Sequence, residues 1–122
     1  MLEIKGDTIH MTRGLDLDIT LNMTNYTFEP GEIVVVEIYD EASLEKEPLK
    51  TITALTDDYA KEAVIHFKPE DTASLVKIYN SPEIYWYQIR TDMNRFIKGY
   101  DISGPKKLIL YPKGVSTLVR EE

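Results

Sequence analysis

Apolar and polar residues alternate with a period of two along much of this chain. The clearest example is residues 15–23, where the odd positions are Leu, Ile or Met and the even positions are Asp, Thr or Asn. A period of two places the two classes on opposite faces of a β-strand, so this segment predicts a strand with one buried face. No stretch of ten or more residues shows the 3.6-residue period of a helix. The pattern therefore predicts an all-β chain.

Other segments, separated by turn-forming residues, predict a series of short strands. Residues 33–39 are dense in β-branched side chains and apolar on both faces, which is typical of a central strand. Residues 84–89 are the most aromatic segment and predict the strand that anchors the core. Further strands are predicted at 49–55, 63–67, 95–100 and 107–111, and a single helical turn is predicted to begin at Pro69.

About seven to nine short strands with frequent turns predict an immunoglobulin-like antiparallel β-sandwich, formed as a single domain over residues 1–122. A small barrel is the structural alternative. The turn at 69–73 favours the sandwich, because an immunoglobulin strand F carries a tyrosine corner and a tyrosine-bearing strand follows here. Alternation places Tyr85 and Tyr87 on one face, predicted to be the core, and Trp86 on the other. Trp86 is therefore a candidate exposed aromatic residue.

The composition excludes several classes of protein. Cysteine is absent, which removes disulfides, thiolate metal sites and cysteine nucleophiles. With 14 Lys and Arg against 21 Asp and Glu, the net charge is −7, which argues against binding to nucleic acid or to an anionic membrane. The longest apolar run is residues 33–36, far below the roughly 20 residues of a membrane span. Residues 1–10 lack the continuous apolar stretch of a signal peptide, so none is expected.

The sequence contains no catalytic or metal-binding pattern. His10 and His66 lie on predicted strands without metal-ligand spacing, and both are expected to be solvated. Asp16 and Asp18 project from the same face of a predicted strand. Acidic residues at every second position are more typical of a solvated strand face than of calcium ligands or a glycosidase carboxylate pair. Glycine-rich phosphate motifs are absent. We therefore expect no catalytic residue, no bound metal, no cofactor and no enzymatic activity.

Charge is unevenly distributed along the chain. Residues 1–85 contain seven bases and seventeen acids, whereas residues 86–113 contain six bases and two acids. This segregation is either chance, in a fold whose strands interleave, or the mark of complementary patches for self-association or partner docking. On the second interpretation, the candidate interaction surface consists of Arg95, Lys98, Lys106 and Lys107.

Three parts of the chain, in this order, resemble small phage and prophage structural proteins of Gram-positive bacteria, especially the N-terminal immunoglobulin-like domain of the phage baseplate upper protein. They are residues 6–14, residues 68–72 ahead of the aromatic strand 85–89, and residues 104–112. The resemblance implies a virion component, made in the bacterial cytoplasm, that docks onto other tail or baseplate subunits and catalyses nothing. It transfers no functional residue, because the shared segments are strand and turn signatures.

The alternative hypothesis is a carbohydrate-binding β-sandwich module that recognises a cell-surface glycan. It would use Trp86 and neighbouring acidic residues, because an aromatic ring packs on the apolar face of a pyranose. An esterase or glycosidase ranks third. Portal, tail-tape and holin genes beside this gene would favour the virion hypothesis, whereas a polysaccharide-utilisation cluster would favour the glycan.

Overall fold

The computed structural model describes residues 2–23, 27–42, 47–76, 81–93, 96–98, 100–101 and 104–112. Within these ranges the chain forms ten strands and one short helix. The elements are β1 (Leu2–Lys5), β2 (Thr8–Thr12), β3 (Leu17–Asn22), β4 (Ile33–Tyr39), β5 (Lys50–Leu55), β6 (Glu62–Phe67), α1 (Pro69–Ala73), β7 (Glu83–Thr91), β8 (Phe96–Lys98), β9 (Tyr100–Asp101) and β10 (Gly104–Tyr111). No helix of the described ranges is long and apolar enough to cross a membrane.

The strands form an eight-stranded main sheet and a two-stranded sheet. The main sheet has the order β1-β2-β10-β7-β4-β5, with β8 beside β7 and β9 beside β10, and the second sheet pairs β3 with β6. The predicted all-β sandwich is confirmed, whereas its immunoglobulin-like connectivity stays a prediction. Two details differ from expectation. The ten strands exceed the predicted seven to nine, and β2 and β10 run parallel, so the main sheet is mixed rather than purely antiparallel.

The core lies between the two sheets. Tyr85 and Tyr87 of β7 are each 1% exposed, and they share one apolar cluster with Ile19 of β3 and Ile65 of β6. Trp86, on the opposite face of β7, is only partly buried. The face assignment drawn from the period-two pattern is therefore confirmed for this strand.

The strand β4 lies inside the main sheet, between β7 and β5, as its apolar sequence predicts. Val34, Val36 and Ile38 join the core cluster. On the opposite face, Val35 and Tyr39 are also buried. The strand β3 of the two-stranded sheet shows the contrasting pattern of one buried face, with buried and exposed positions alternating from Ile19 to Asn22.

The first two strands form a hairpin that is tied to the core. Their turn consists of Gly6 and Asp7, and the positive φ of 61° at Gly6 suits the first position of a type II′ turn. The hydroxyl of Tyr87 donates a hydrogen bond of 2.7 Å to the carbonyl oxygen of Asp7. This contact anchors the end of the hairpin to the central strand β7.

A buried ion pair connects the turn after β2 with the start of β7. Nη2 of Arg13 lies 3.0 Å from Oε1 of Glu83, and the two side chains are 8% and 4% exposed. Nε of Arg13 donates to the carbonyl oxygen of Leu75 at 2.7 Å, and the hydroxyl of Tyr85 donates to Oε1 of Glu83 at 3.0 Å. The guanidinium therefore joins three segments that are distant in sequence.

Candidate functional site

The candidate site is on the outer face of the main sheet, the face turned away from the two-stranded sheet. Since Tyr85 and Tyr87 point into the core, the even-numbered residues of β7 point outward. Neighbouring residues of β10 and β2 complete the surface through strand pairing. We call this surface the outer-face patch and define it as His10, Ile84, Trp86, Lys107, Ile109 and Tyr111.

Apolar side chains form the middle of the outer-face patch. Ile109 of β10 pairs with Ile84 of β7 on one side and with His10 of β2 on the other. The Ile84 side chain is 47% exposed, and Ile109 is half-buried. The paired strands β7 and β10 thus present aliphatic surface to solvent, and His10 of β2 borders it.

Trp86 is flanked by a lysine and a buried tyrosine. Lys107 is its partner on β10, and Nζ of Lys107 lies 6.0 Å from the centroid of the Trp86 ring, at the outer limit of a cation–π contact. On the other side, Trp86 pairs with Tyr39 of β4, which is 4% exposed. The indole therefore rests against the sheet and remains partly open to solvent.

His10 and Tyr111 form the other aromatic pair of the outer-face patch. Nδ1 of His10 lies 2.8 Å from the hydroxyl of Tyr111, and the two rings stack with centroids 5.9 Å apart. Both side chains are half-buried. The hydrogen bond and the stacking together fix the orientation of both rings.

A polar network adjoins Trp86 along the same face. Oε1 of Glu37 accepts hydrogen bonds from Nε2 of Gln88 at 2.7 Å and from Nε of Arg90 at 3.0 Å. Burial alone would raise the pKa of Glu37, but the hydrogen bonds from Arg90 and Gln88 outweigh it and lower that pKa. Glu37 therefore stays ionised at neutral pH and neutralises Arg90, whereas Lys107 is exposed.

Of the four basic residues singled out in the sequence, the structure describes the side chains of Lys106 and Lys107. Lys106 and Lys107 are consecutive on β10, so they point to opposite faces of the sheet. Lys106 pairs with Tyr87, a core-facing residue, and Lys107 pairs with Trp86. Lys98 lies opposite Ile89, next to an irregularity in the β7–β8 pairing. Arg95 lies outside the described residues.

The structure thus brings Trp86 together with Lys107. It adds Ile84, Ile109 and the pair of His10 with Tyr111, none of which the sequence indicated as part of an interaction surface. Alternation could assign Ile84 and Trp86 to one face of β7. The remaining members depend on the parallel pairing of β2 with β10, for which the sequence carries no signal.

His66 lies on the outer face of the other sheet, between two aspartates. Its Nε2 is 2.7 Å from Oδ1 of Asp16, and its Nδ1 is 2.5 Å from Oδ1 of Asp18. The hydrogen bond with Asp18 is the main cause that raises the pKa of His66, and the charge of Asp16 adds to the effect. The carboxylates contact opposite sides of the ring. Among the described residues, no group of three His, Asp or Glu side chains is arranged to hold a metal ion.

This arrangement predicts a pH-dependent contribution from His66. Because folding raises its pKa, the protonated ring stabilises the folded chain fully below its ordinary pKa of about 6.5, and that contribution is lost as the pH rises through the folded-state pKa. In an NMR titration, we expect the His66 midpoint to fall in Asp18→Asn, and to fall less in Asp16→Asn. An unchanged midpoint in Asp18→Asn would contradict the assignment.

An open cleft of about 380 Å³ lies near the buried ion pair. Its described lining consists of Asp40, Leu49, Ser74, Leu75, Val76 and Tyr85. These residues offer one carboxylate and two hydroxyl groups, but no imidazole that could act as a base toward Ser74. The described lining therefore carries no serine–histidine pairing of nucleophile and base.

Comparison of the sequence with models of known protein families and with curated proteins gives no match. No relative therefore indicates a ligand or a partner.

Proposed function

We propose that this chain is a non-enzymatic phage or prophage structural protein that docks onto other tail or baseplate subunits through the outer-face patch. The observation that carries the docking role is the partly open Trp86 beside the exposed Ile84 and the half-buried Ile109 on the paired strands β7 and β10. Tryptophan is among the residues that most often dominate the energy of protein interfaces. The assignment to a virion is supported by the sequence resemblance alone.

The charge of the patch indicates the character of the partner. Lys107 is exposed beside Trp86, while Glu37 of β4 is engaged by Arg90 and Gln88 of β7. A complementary surface would therefore place carboxylates around an apolar contact, so that they meet Lys107 while the apolar groups cover Ile84 and Trp86.

The experiment measures binding to the products of the neighbouring tail genes by biolayer interferometry. We expect Trp86→Ala and Ile84→Asp to weaken binding about 10- to 100-fold, because both remove apolar contact at the centre of the patch. Val64→Asp is the matched control. Val64 is 46% exposed, nearly the same as Ile84 at 47%, and it lies on the outer face of the other sheet. Equal losses from Ile84→Asp and Val64→Asp would contradict docking through the patch.

Recognition of a cell-surface glycan is the second candidate function, because the partly open indole of Trp86 is also suited to stacking on a sugar ring. Affinity electrophoresis with cell-wall polysaccharide separates the two proposals. Retardation of the wild-type chain that disappears in Trp86→Ala would support the glycan. Docking onto a protein predicts no retardation of either form.

A further inference from the structure

The first strand forms an edge of the main sheet. Within the described ranges, β1 pairs with β2 on one side and with no strand on the other. Ile4 is 40% exposed on this edge, and the hairpin is fixed to the core through the hydrogen bond between Tyr87 and Asp7. The edge is thus a short, firmly held strand with backbone groups directed outward.

The hairpin geometry decides which backbone groups point outward. Lys5 and Thr8 flank the two-residue turn, so they form the pair that exchanges backbone hydrogen bonds with each other. Because such pairs alternate along an antiparallel ladder, Ile4 directs its N–H and C=O away from β2. Leu2 does the same, whereas Glu3 is bonded inward.

We propose that β1 pairs antiparallel with β1 of a second copy of this chain, with the two Ile4 residues opposite each other. In this register each Ile4 donates its N–H to the carbonyl oxygen of the other Ile4. The half-exposed Ile4 side chains then lie side by side on the core-facing side of the combined sheet. This proposal is independent of the docking role of the outer-face patch.

The charges of β1 select this register. With Ile4 opposite Ile4, Glu3 of each copy lies directly opposite Lys5 of the other, which gives two attractive pairs. Sliding the strands so that Leu2 faces Ile4 retains the outward hydrogen bonds but brings the two Glu3 side chains opposite each other. The segment Leu2–Lys5 is therefore self-complementary in only one of these two registers.

The two-fold symmetry has a consequence for the assembly. An isologous contact of this kind closes at two copies, and its axis runs perpendicular to the sheet. Both outer faces then point in the same direction, so one dimer carries two outer-face patches on one side. Because the seam is only four residues long, we expect a weak dimer whose population rises with protein concentration.

Cysteine trapping tests the contact, because the natural chain contains no cysteine. The Cα atoms of directly opposed strand residues lie within the range that a disulfide spans. Under mild oxidation, we expect Ile4→Cys to form a covalent dimer about tenfold faster than Val64→Cys, whose position has similar exposure on the other sheet. Equal rates for the two variants would overturn the proposal.

A charge exchange tests the register. We expect Glu3→Lys and Lys5→Glu, each added to Ile4→Cys, to slow dimer formation about tenfold, because each places like charges opposite each other. The double exchange Glu3→Lys with Lys5→Glu restores opposite charges and is expected to restore the rate. Failure of the double exchange to recover the rate, in variants that retain the parent melting temperature, would overturn the register.

Discussion

Truncation of Tyr87 to alanine is expected to lower the free energy of unfolding by about 3–5 kcal/mol. The side chain is 1% exposed and belongs to the core cluster between the two sheets, so its removal leaves a cavity lined by both. Its hydroxyl also fixes the β1–β2 turn through the carbonyl of Asp7. Burial is the main cause that raises the pKa of Tyr87, so the phenol remains a hydrogen-bond donor at neutral pH.

Urea unfolding of three variants separates the ring from the hydroxyl. Tyr87→Phe retains the ring and removes only the hydrogen bond, so we expect a loss of about 1 kcal/mol. Leu55→Ala is the surface control, since Leu55 is 84% exposed, and it should change the free energy of unfolding very little. A loss below about 1 kcal/mol in Tyr87→Ala would show that the cavity argument is wrong.

The strands were predictable where the period-two pattern was regular. Residues 15–23 and 33–39 contain the observed β3 and β4. Burial of one face of a strand requires alternating apolar residues, and burial of both faces requires consecutive ones, so the sequence shows either pattern directly. Which strands pair with each other cannot be read from the order of apolar residues. His10 and Tyr111, which form a hydrogen bond, are 101 positions apart, and neither segment specifies that they align in parallel.

The basic segment illustrates a further limit of reasoning from linear order. Lys106 and Lys107 are adjacent in the sequence and together suggest one charged surface. The strand geometry places them on opposite faces, and only Lys107 reaches the patch with Trp86. Because Ile84, Ile109 and the pair of His10 with Tyr111 supply the rest of that patch, its character is apolar and aromatic with one exposed cation rather than broadly basic.

The pair of Arg13 and Glu83 was also invisible in the sequence, since both residues lie beside turns where charged side chains are usually solvated. Their burial results from the way the turn after β2, the segment after α1 and the start of β7 meet at one end of the sandwich. A buried pair of this kind adds little net stability compared with an apolar replacement, but the loss of one partner is costly.

Substitution of Arg13 by methionine is therefore expected to lower the free energy of unfolding by about 3–5 kcal/mol, because it removes the guanidinium from a carboxylate whose side chain is 4% exposed. The double variant Arg13→Met with Glu83→Leu removes both charges and should recover part of that loss, although Tyr85 then loses its acceptor on Glu83. Urea unfolding of the wild type, both single variants and the double variant forms a double-mutant cycle. If the losses of unfolding free energy in this cycle are additive, the two side chains are not coupled, and the ion pair inferred from the 3.0 Å contact is contradicted.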